Sequence, residues 1–304
     1  MRILVTGASG LLGLNLALEA AKGHEVVGTV NSNLLQCEDF EVIRTDLLAL
    51  SAVEHLLDDI QPDWVIHCAA LANVDACEAE PALAQKLNTE LPGKLASYVA
   101  RGGARLLHVS TDTVFDGQRG DYNEGDPPNP LSTYAKTKLG GEMAVASANP
   151  EALIARVNLF GWSASGKRSL AEFFFNSLSI GKKVQGFTDV YFCPLLANDL
   201  ANIMLTMLGQ ALSGIYHVVS PCCLSKYEFG VEIAEQFGLN RELIEPSSVK
   251  ESGLLAKRSP NLTLRTDKIH AALGVSLPDV HSGIEHLYKL YKQGYPEQIR
   301  SLSG

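Results

Sequence analysis

A glycine-rich turn near the N-terminus constrains the fold of this chain more than any other segment. Residues 6–13 space their glycines as G-x-x-G-x-x-G, directly after an apolar run at 3–5 and at the start of a helical stretch. In such a turn Gly7 permits a tight bend, Gly10 lets a ligand approach the backbone, and Gly13 lets helix and strand pack closely. A diphosphate placed there meets free N–H groups and the positive end of the helix dipole. The turn therefore predicts a dinucleotide site, and a packing turn without a ligand is the alternative.

Short apolar runs alternate with helical stretches through the first half of the chain, and this alternation predicts a parallel sheet covered on both faces. We therefore expect an α/β fold, a doubly wound parallel sheet (Rossmann) with a smaller C-terminal substrate domain. The predicted strands are 3–5, 25–30, 41–44, 64–67, 105–109 and 152–157. The predicted helices are 11–22, 51–60 with Ser51 as its N-cap, 81–100 and 133–148.

The pattern loosens after residue 160. A strong strand at 215–219 is expected to return to the main sheet, which would make the domains discontinuous. We expect a dinucleotide-binding domain over residues 1–160, rejoined by parts of 190–220, and a mainly substrate-binding domain over 161–304. Further helices are predicted at 169–179, 197–208, 226–237, 266–273 and 282–291.

The charge and cysteine content argue against several classes of protein. With 25 basic and 34 acidic residues the net charge is −9, and no run of Lys or Arg interrupts it, which argues against nucleic acid or an anionic membrane as a partner. The N-terminus has no signal-peptide layout and no apolar run reaches membrane-spanning length, so a cytoplasmic protein is expected. The six cysteines include no C-x-x-C pair, which favours reduced thiols over a disulfide framework or a metal site.

The end of the second predicted strand bears on the choice of cofactor. Asn31 and Ser32 stand where an acidic residue would usually hold the ribose 2′-hydroxyl, and small polar groups tolerate a 2′-phosphate better than Asp would. We therefore favour NADP(H); because no Arg stands there either, NAD(H) is the alternative. Asp46, with Leu47, follows the third strand and is expected to accept a hydrogen bond from adenine, or else to be a loop or capping carboxylate. The glycine turn adds the predicted cofactor contacts Gly7, Ser9, Gly10, Leu11, Leu12 and Gly13.

Hydroxyl side chains stand at the carboxyl end of the strand at 105–109, the edge of an open α/β sheet where ligands bind. Thr111 is one of them, and Tyr134 and Lys138 follow four residues apart on a helix, so that both side chains face the same way. Reducing a ketone needs a proton on oxygen, and a nearby ammonium lowers the pKa of a phenol from its ordinary value of about 10. We expect Thr111 to orient the carbonyl, Tyr134 to donate the proton and Lys138 to tune that donor, with an exposed ion-paired helix as the alternative.

Two further sets of residues have competing interpretations. Tyr288 and Lys292 repeat the four-residue spacing, but no hydroxyl-bearing strand precedes them, and we expect a solvated helix face. Lys257, Arg258 and Arg265 could pair with a nucleotide diphosphate, since a bidentate guanidinium suits that geometry, or could lie on a solvated surface.

Several segments together resemble the extended short-chain dehydrogenase/reductase superfamily. Within it they are most similar to the dTDP-4-dehydrorhamnose reductase (RmlD-like) family of sugar-nucleotide enzymes. The resemblance covers nearly the whole chain. The segments that carry it are 6–13, 68–72 with Asp75 and Glu78, Asn88, 110–117, 134–138, 156–161, 189–194, 199–201 and 214–218.

The resemblance implies roles for individual residues. Thr111, Tyr134 and Lys138 would be the catalytic triad, and the last two would also contact the cofactor. Asn88 would support a proton relay to the lysine, and Asp112 would shape the sugar site. A homodimer formed through paired helices is the assembly that the resemblance suggests. The residues that would line the cofactor channel are Ala69, Ala70 and Leu71.

The resemblance implies, first, NADP(H)-dependent reduction of a 4-keto sugar nucleotide. An epimerase or dehydratase of the same scaffold is the second function; a dehydratase usually has an Asp-Glu pair after its catalytic Thr, whereas this chain has Asp112 and Thr113. A dinucleotide-binding regulatory subunit, like the β subunit of methionine adenosyltransferase, is the third. Members of the family usually carry Tyr where this chain has Thr113, and the C-terminal substrate segment diverges, so the sugar and its nucleotide stay open.

Overall fold

The computed structural model describes residues 1–49, 51–251 and 259–303. The central strands β1, β4 and β6 defined below are apolar runs with almost every side chain buried, as a sheet covered by helices on both faces requires. The strand bounds are β1 Arg2–Thr6, β2 Glu25–Val30, β3 Glu41–Arg44, β4 Trp64–His67, β5 Arg105–Thr111, β6 Leu153–Val157, β7 Leu159–Phe160, β8 Val184–Phe187, β9 Tyr191–Phe192, β10 Leu195–Leu196, β11 Gly214–Val218, β12 Leu224–Ser225 and β13 Ile244–Ser247.

Seven of the described strands form one parallel sheet in the order β11-β6-β5-β4-β1-β2-β3. The chain starts in the middle of this sheet, builds outward to β3, crosses back to β4 and continues to β11. That reversal leaves a crevice at the carboxyl ends of β1 and β4, where open α/β sheets bind ligands. The doubly wound α/β fold predicted from the sequence is confirmed, and β11 returns to the sheet beside β6 as expected.

Helices cover the two faces of the sheet, and the alternation of side chains along β1 shows how. Ile3 and Val5 are buried in the cluster that contains the helices at 11–21 and 197–209, whereas Leu4 is buried in the cluster that contains the helices at 52–60, 91–102 and 133–148. The helix bounds are α1 Leu11–Ala21, α2 Ala52–Ile60, α3 Val74–Ala79, α4 Pro81–Gln85, α5 Leu91–Gly102, α6 Thr133–Ala148, α7 Leu170–Ser179, α8 Ala197–Gly209, α9 Lys226–Gln236, α10 Asp267–Leu273, α11 Val280–Lys292 and α12 Tyr295–Ser301.

One predicted helix is wrong in detail, and one predicted N-cap keeps its position without a capping hydrogen bond. The helix expected over 81–100 is interrupted, because α4 ends at Gln85 and Lys86–Glu90 form a π turn before α5 begins. Pro92, which has no N–H to donate, stands in the first turn after that interruption, where its missing donor is tolerated. Ser51 occupies the N-cap position of α2, but its φ of 61° is left-handed and its side chain makes no capping hydrogen bond.

The cysteine prediction is wrong for one pair. Cys193 and Cys223 form a disulfide across 30 residues of sequence. Antiparallel pairing of β9 with β12 puts Phe192 opposite Leu224, and this pairing brings the two neighbouring cysteines side by side. Cysteine spacing does not reveal such a contact, because the contact depends on two short strands that meet only in the folded chain. The free cysteines are Cys37, Cys68, Cys77 and Cys222.

The C-terminal half packs a cluster of aromatic side chains beside the sheet. The ring of Trp162 lies 5.2–6.0 Å from the rings of Phe175, Phe237 and Tyr291, which come from the helical region between α7 and α11. Its Nε1 donates to the carbonyl oxygen of Leu287 at 3.2 Å. This cluster anchors the chain that leaves the seven-stranded sheet after β6.

A buried ion pair joins α6 to the sheet. Glu142 on α6 and Arg156 on β6 are each 2% exposed, and Arg156 Nη2 lies 2.8 Å from Glu142 Oε2. Arg156 Nε donates to both carboxylate oxygens, and Ser110 Oγ on β5 donates to Oε1 at 2.5 Å. Because α6 also carries Tyr134 and Lys138, this network fixes the predicted catalytic helix against β5 and β6.

Removing only the cation of this pair should destabilise the protein strongly. Arg156→Met leaves the Glu142 carboxylate buried without a counter-ion, and we expect the free energy of unfolding to fall by about 3–5 kcal/mol. Urea unfolding followed by circular dichroism measures this loss. The double variant Glu142→Met/Arg156→Met buries no charge and should recover most of the stability; a double variant as unstable as Arg156→Met alone would contradict the explanation.

Candidate active site

A groove of about 250 Å³ runs along the carboxyl ends of β1, β2 and β4. It is built by the turns that leave these strands together with the turn after β3. Nine residues predicted as cofactor contacts line it: Gly7, Ser9, Gly10, Asn31, Ser32, Asp46, Leu47, Ala69 and Ala70. The sequence analysis missed Thr29, Val30, Asn33, Thr45, Cys68, Leu87 and Arg168, which also line it.

The glycine turn brings backbone against backbone at the floor of this groove. Gly7 has a left-handed φ of 72°, and a Cβ there would lie 2.8 Å from the Cα of Ala69; a Cβ on Gly13 would lie 2.2 Å from the carbonyl oxygen of Gly7. Gly10 caps α1 without a side-chain hydrogen bond, and the first turn of the helix carries no acidic residue. The first N–H groups of α1 and its positive dipole end therefore lack a protein anion, and this cradle fits the diphosphate of a dinucleotide.

The remaining predicted cofactor contacts do not line the groove. Leu12 and Gly13 are buried in the first turn of α1, and Leu11 stands beside them. Leu71 follows the groove residue Ala70 directly. Tyr134 lines a second cavity, and Lys138 is buried.

Asn88 lies in the π turn and holds the segment after β4. Its Oδ1 accepts from the N–H of Leu71 at 2.9 Å, and its Nδ2 donates to the carbonyl oxygen of Leu71 at 3.1 Å and to Thr137 Oγ1 at 3.1 Å. None of these bonds reaches Lys138, so the proton relay predicted for Asn88 stays a prediction. The bonds give the side chain a positioning function, since they fix the edge of the groove to α6.

A second, smaller cavity of about 140 Å³ lies farther along the same edge of the sheet. The segment that lines the groove at Ala70 lines this cavity at Val74, so the two spaces are neighbours. Tyr134 and Thr113 are in its wall, with polar side chains from distant segments. The other lining residues are Leu131, Ser132, Asn158, Val190, Tyr191, Phe192, Lys226, Ser259 and Leu262.

Tyr134 and Thr111, predicted as proton donor and orienting hydroxyl, lie close enough for the Thr111 hydroxyl to favour ionisation of the phenol. Burial raises the pKa of Tyr134 to about 12; the Thr111 hydroxyl opposes this rise and the charge of Asp112 adds to it. Burial also raises the pKa of Asp112 to about 6, against hydrogen bonds from Asn158 and Thr111. Asn158 Nδ2 donates to Asp112 Oδ2 at 2.5 Å, and Thr111 Oγ1 donates to Oδ1 at 3.1 Å.

Lys138 is 3% exposed, and this burial lowers its pKa to about 8. Its Nζ donates to the carbonyl oxygen of Val109 at 2.7 Å and lies 3.5 Å from His108 Nε2. The expected lowering of the Tyr134 pKa by this ammonium is wrong for the structure. The reason is that burial of the phenol raises its pKa, while the ammonium is bound by the backbone of β5.

The sequence analysis missed four polar residues that reach the two cavities from the C-terminal half. Asn158, Lys226 and Ser259 line the smaller cavity, and Arg168 lines the groove. Asn158 belongs to the segment 156–161 that carries the family resemblance, which was a usable signal. Nothing in the local sequence marks the other three, because their position depends on how the C-terminal half packs.

The basic residues of the C-terminal stretch and the second Tyr/Lys pair lie outside both cavities, as far as the structure describes them. Lys257 and Arg258 lie outside the described residues, and Arg265 pairs with Asp267 at 2.7 Å. Lys292, of the second Tyr/Lys pair, is exposed, in contrast to the buried Lys138. In the described ranges no three His, Cys, Asp or Glu side chains are grouped to hold a metal ion. No helix in those ranges is both long and apolar enough to cross a bilayer.

The chain is similar over most of its length to known proteins. The RmlD substrate binding domain family matches residues 1–293. A probable low-salt glycan biosynthesis reductase, Agl14, from Haloferax volcanii is 35% identical and covers 94% of this chain and 97% of that protein. Methionine adenosyltransferase 2 subunit beta from Mus musculus is 32% identical, covering 90% of this chain and 83% of that protein. The structure of dTDP-4-dehydrorhamnose reductase from Bacillus anthracis in complex with NADP matches with a TM-score of 0.82 at 25% identity. The match covers 95% of this chain and 98% of that chain.

Replacing the buried carboxyl group of Asp112 by an amide should stabilise the protein at neutral pH. When folding raises the pKa of a carboxyl, that group destabilises the folded protein at any pH above its pKa in the unfolded chain, because the unfolded chain releases the proton more readily. Folding raises the pKa of Asp112 from 3.8 to about 6. Asp112→Asn should therefore add up to about 3 kcal/mol near pH 7.5 and almost nothing near pH 4.

Thermal unfolding at the two pH values measures this difference. Asp116→Asn is the control of opposite sign, because hydrogen bonds led by the Gln118 N–H lower the pKa of Asp116, so its carboxylate contributes stability above pH 4. An Asp112→Asn stabilisation of the same size at both pH values would contradict the assigned ionisation.

Proposed function

The chain belongs to the family of RmlD substrate-binding domains, and we propose that it is an enzyme that reduces a 4-keto sugar nucleotide with NADP(H). The observation that carries the proposal is the position of Tyr134, which lines a cavity beside the dinucleotide groove, while the Thr111 hydroxyl lies close enough to affect its ionisation. We infer that a proton donor and a side chain that can hold a carbonyl oxygen meet where a substrate would reach the cofactor.

The groove supports the choice of cofactor. Its glycine cradle fits a diphosphate, and Asn31 and Ser32 stand at the end of β2 without a carboxylate between them. A solved relative of similar fold has NADP bound. When bound, the cofactor supplies the hydride that the carbonyl carbon accepts. The protein residues bind and orient the reactants and move the proton.

Tyr134 is the proposed acid. With a pKa of about 12 the phenol keeps its proton at neutral pH, which is the form that a reduction consumes. Thr111, whose hydroxyl donates to Asp112 Oδ1 in this structure, would turn that donor to the carbonyl oxygen of a substrate and hold it within reach of the proton. A positioned general acid of this kind contributes about 10²–10⁴-fold to the rate.

Lys138 is the proposed cation of the site, and the nicotinamide ribose is its proposed partner. Its pKa of about 8 keeps most of the side chain as an ammonium at neutral pH. Val109 and His108 engage two of its three N–H donors, so the third can point toward the nicotinamide ribose.

The smaller cavity supports a hydroxylated substrate. Asn158, Ser132, Ser259 and Lys226 place polar groups in its wall, while Phe192 and Leu262 provide apolar surface. Sugar rings present both kinds of surface, and pockets of this mixed character orient their ligands through a few polar groups. Asp112, by accepting from Asn158, fixes one of those polar side chains.

A second candidate is a dinucleotide-binding regulatory subunit, and the similarity to methionine adenosyltransferase 2 subunit beta favours it. Tight NADPH binding without turnover of any keto-sugar nucleotide would support that reading. An epimerase or dehydratase of the same scaffold has less support, because Thr113 follows Asp112 where a dehydratase usually has Glu.

Tyr134→Phe should remove the proposed proton donor and leave the rest of the wall of the smaller cavity in place. We expect kcat for NADPH-dependent reduction of a keto-sugar nucleotide to fall by about 10²–10⁴-fold, because the proton must then come from water. Following NADPH absorbance across a panel of such substrates measures the loss. Tyr288→Phe is the matched control, since this residue occupies the surface copy of the motif, and it should retain wild-type turnover. Undiminished turnover by Tyr134→Phe would refute the assigned acid.

The pH profile of reduction should report Lys138. Because burial lowers the pKa of Lys138 from 10.5 to about 8, the ammonium is present below that pH and is lost above it. We therefore expect kcat/KM to be level up to about pH 8 and then to fall by about tenfold per pH unit. Initial rates between pH 6 and pH 10 test this; a profile that stays level to pH 10 would show that the ammonium is not required.

A further inference from the structure

The end of β2 lacks the positive charge that a 2′-phosphate usually meets. Residues 29–36 contain no Lys or Arg. The groove nevertheless has a cation, because Arg168 lines it together with Asn31, Ser32 and Asn33. Among the described basic residues Arg168 is the one that lines this groove, and it comes from the loop between β7 and α7, more than 130 residues away in sequence.

The loop that carries Arg168 is fixed from below by a buried carboxylate. Glu172, which is 0% exposed, accepts from the N–H of Arg168 at 2.8 Å and from the N–H of Ser169 at 3.1 Å. It also accepts from the N–H of Ser163 at 2.7 Å and from the Ser163 hydroxyl. Both ends of the loop thus converge on one side chain of α7, and the Arg168 backbone is held independently of its guanidinium.

The C-terminus ties the same loop to the segment after β2. The N–H of Gln36 donates to the carbonyl oxygen of Leu302 at 2.8 Å, and Ser303 Oγ lies 3.5 Å from the carbonyl oxygen of Ala164. Leu35 forms a bridge with Ser303 in the same place. The loop after β7 and the loop after β2 are therefore held next to one another across the adenosine end of the groove.

The charge of Arg168 is available to a ligand. The side chain is exposed, and no carboxylate of the described residues lies within ion-pair distance of it. The acid in the groove is Asp46, which stands at the end of β3, where the sequence predicted an adenine contact. A guanidinium without a carboxylate partner among the described residues, in a groove also lined by neutral Asn and Ser side chains, is suited to bind a phosphomonoester by two parallel hydrogen bonds.

We propose that Arg168 binds the 2′-phosphate on the adenosine ribose of NADP(H) and so determines the preference of this protein for NADP(H) over NAD(H). Asn31 and Ser32 complete the subsite as neutral donors. The inference rests on the proposed use of a dinucleotide but not on the identity of the sugar. The diphosphate already has the N–H groups of α1, whereas the 2′-phosphate would otherwise have no cation among the residues that line the groove.

Equilibrium binding of NADPH and NADH to the full chain tests the assignment without any sugar substrate. Dissociation constants are measured by cofactor fluorescence for wild type, Arg168→Met and Arg168→Lys. We expect Arg168→Met to weaken NADPH binding by about 30-fold, equivalent to about 2 kcal/mol at 1.4 kcal/mol per tenfold, and to change NADH binding less than about threefold. Arg168→Lys, which keeps the charge but loses the bidentate fork, should lie between the two.

Two matched controls separate a local contact from a loss of net charge. Lys167→Met and Arg44→Met each remove one exposed cation that does not line the groove, and both should bind NADPH within about twofold of wild type. If Arg168→Met weakens NADPH binding and NADH binding by the same factor, the guanidinium contacts the diphosphate that both cofactors share. That result would overturn the proposal. An unchanged NADPH affinity in Arg168→Met, or an equal loss in a control variant, would overturn it as well.

The outcome for the subsite is distinguishable from the outcome for the proposed reaction. If wild type selects NADPH through Arg168 but reduces no keto-sugar nucleotide, the subsite stands and the reductase proposal fails. If wild type reduces a keto-sugar nucleotide and Arg168→Met keeps the same ratio of NADPH to NADH affinity, the reductase proposal stands and the subsite fails.

Discussion

The buried pair of Glu142 and Arg156 is the contact on which the proposed active site depends most. It pins α6 to β6, and through Ser110 to β5, so the helix that carries Tyr134 cannot shift along the strand edge without unpairing two buried charges. The opposite side of α6 is equally constrained, since a Cβ on Gly141 would lie 2.2 Å from the carbonyl oxygen of the π-turn residue Asn88. The helix is thus held between the π turn and the sheet, and the reacting groups are held with it.

Burial sets the protonation state of the three groups nearest the proposed chemistry. The pKa of Tyr134 rises to about 12, that of Asp112 rises to about 6 and that of Lys138 falls to about 8. In each case removal from water disfavours the charged form, which raises the pKa of an acid and lowers that of an amine. The result at neutral pH is a phenol that holds its proton and a lysine that is still mostly cationic.

Some parts of this site were predictable because they depend on short-range patterns. The glycine spacing after an apolar strand dictates a backbone cradle at the start of α1, and the four-residue spacing of Tyr134 and Lys138 puts both on one face of α6. Asn88 was singled out, but its bonds to Leu71 were not, because they require the π turn that breaks the expected helix. The sign of the pKa shift at Tyr134 was wrong, because the burial of a side chain cannot be read from its neighbours in sequence.

The sequence by itself determined the seven strands of the main sheet, the order in which they alternate with helices, and the glycine cradle, since hydrophobic periodicity and glycine spacing act over a few residues. The tertiary structure alone decided which distant side chains meet. It joined Cys193 to Cys223, placed Asn158 and Lys226 in the smaller cavity, and brought Arg168 to the end of β2. These meetings depend on how the C-terminal half packs across the carboxyl edge of the sheet, and no local pattern encodes that packing. The physical reason is that contacts across long stretches of chain, and the desolvation that accompanies them, are properties of the assembled fold.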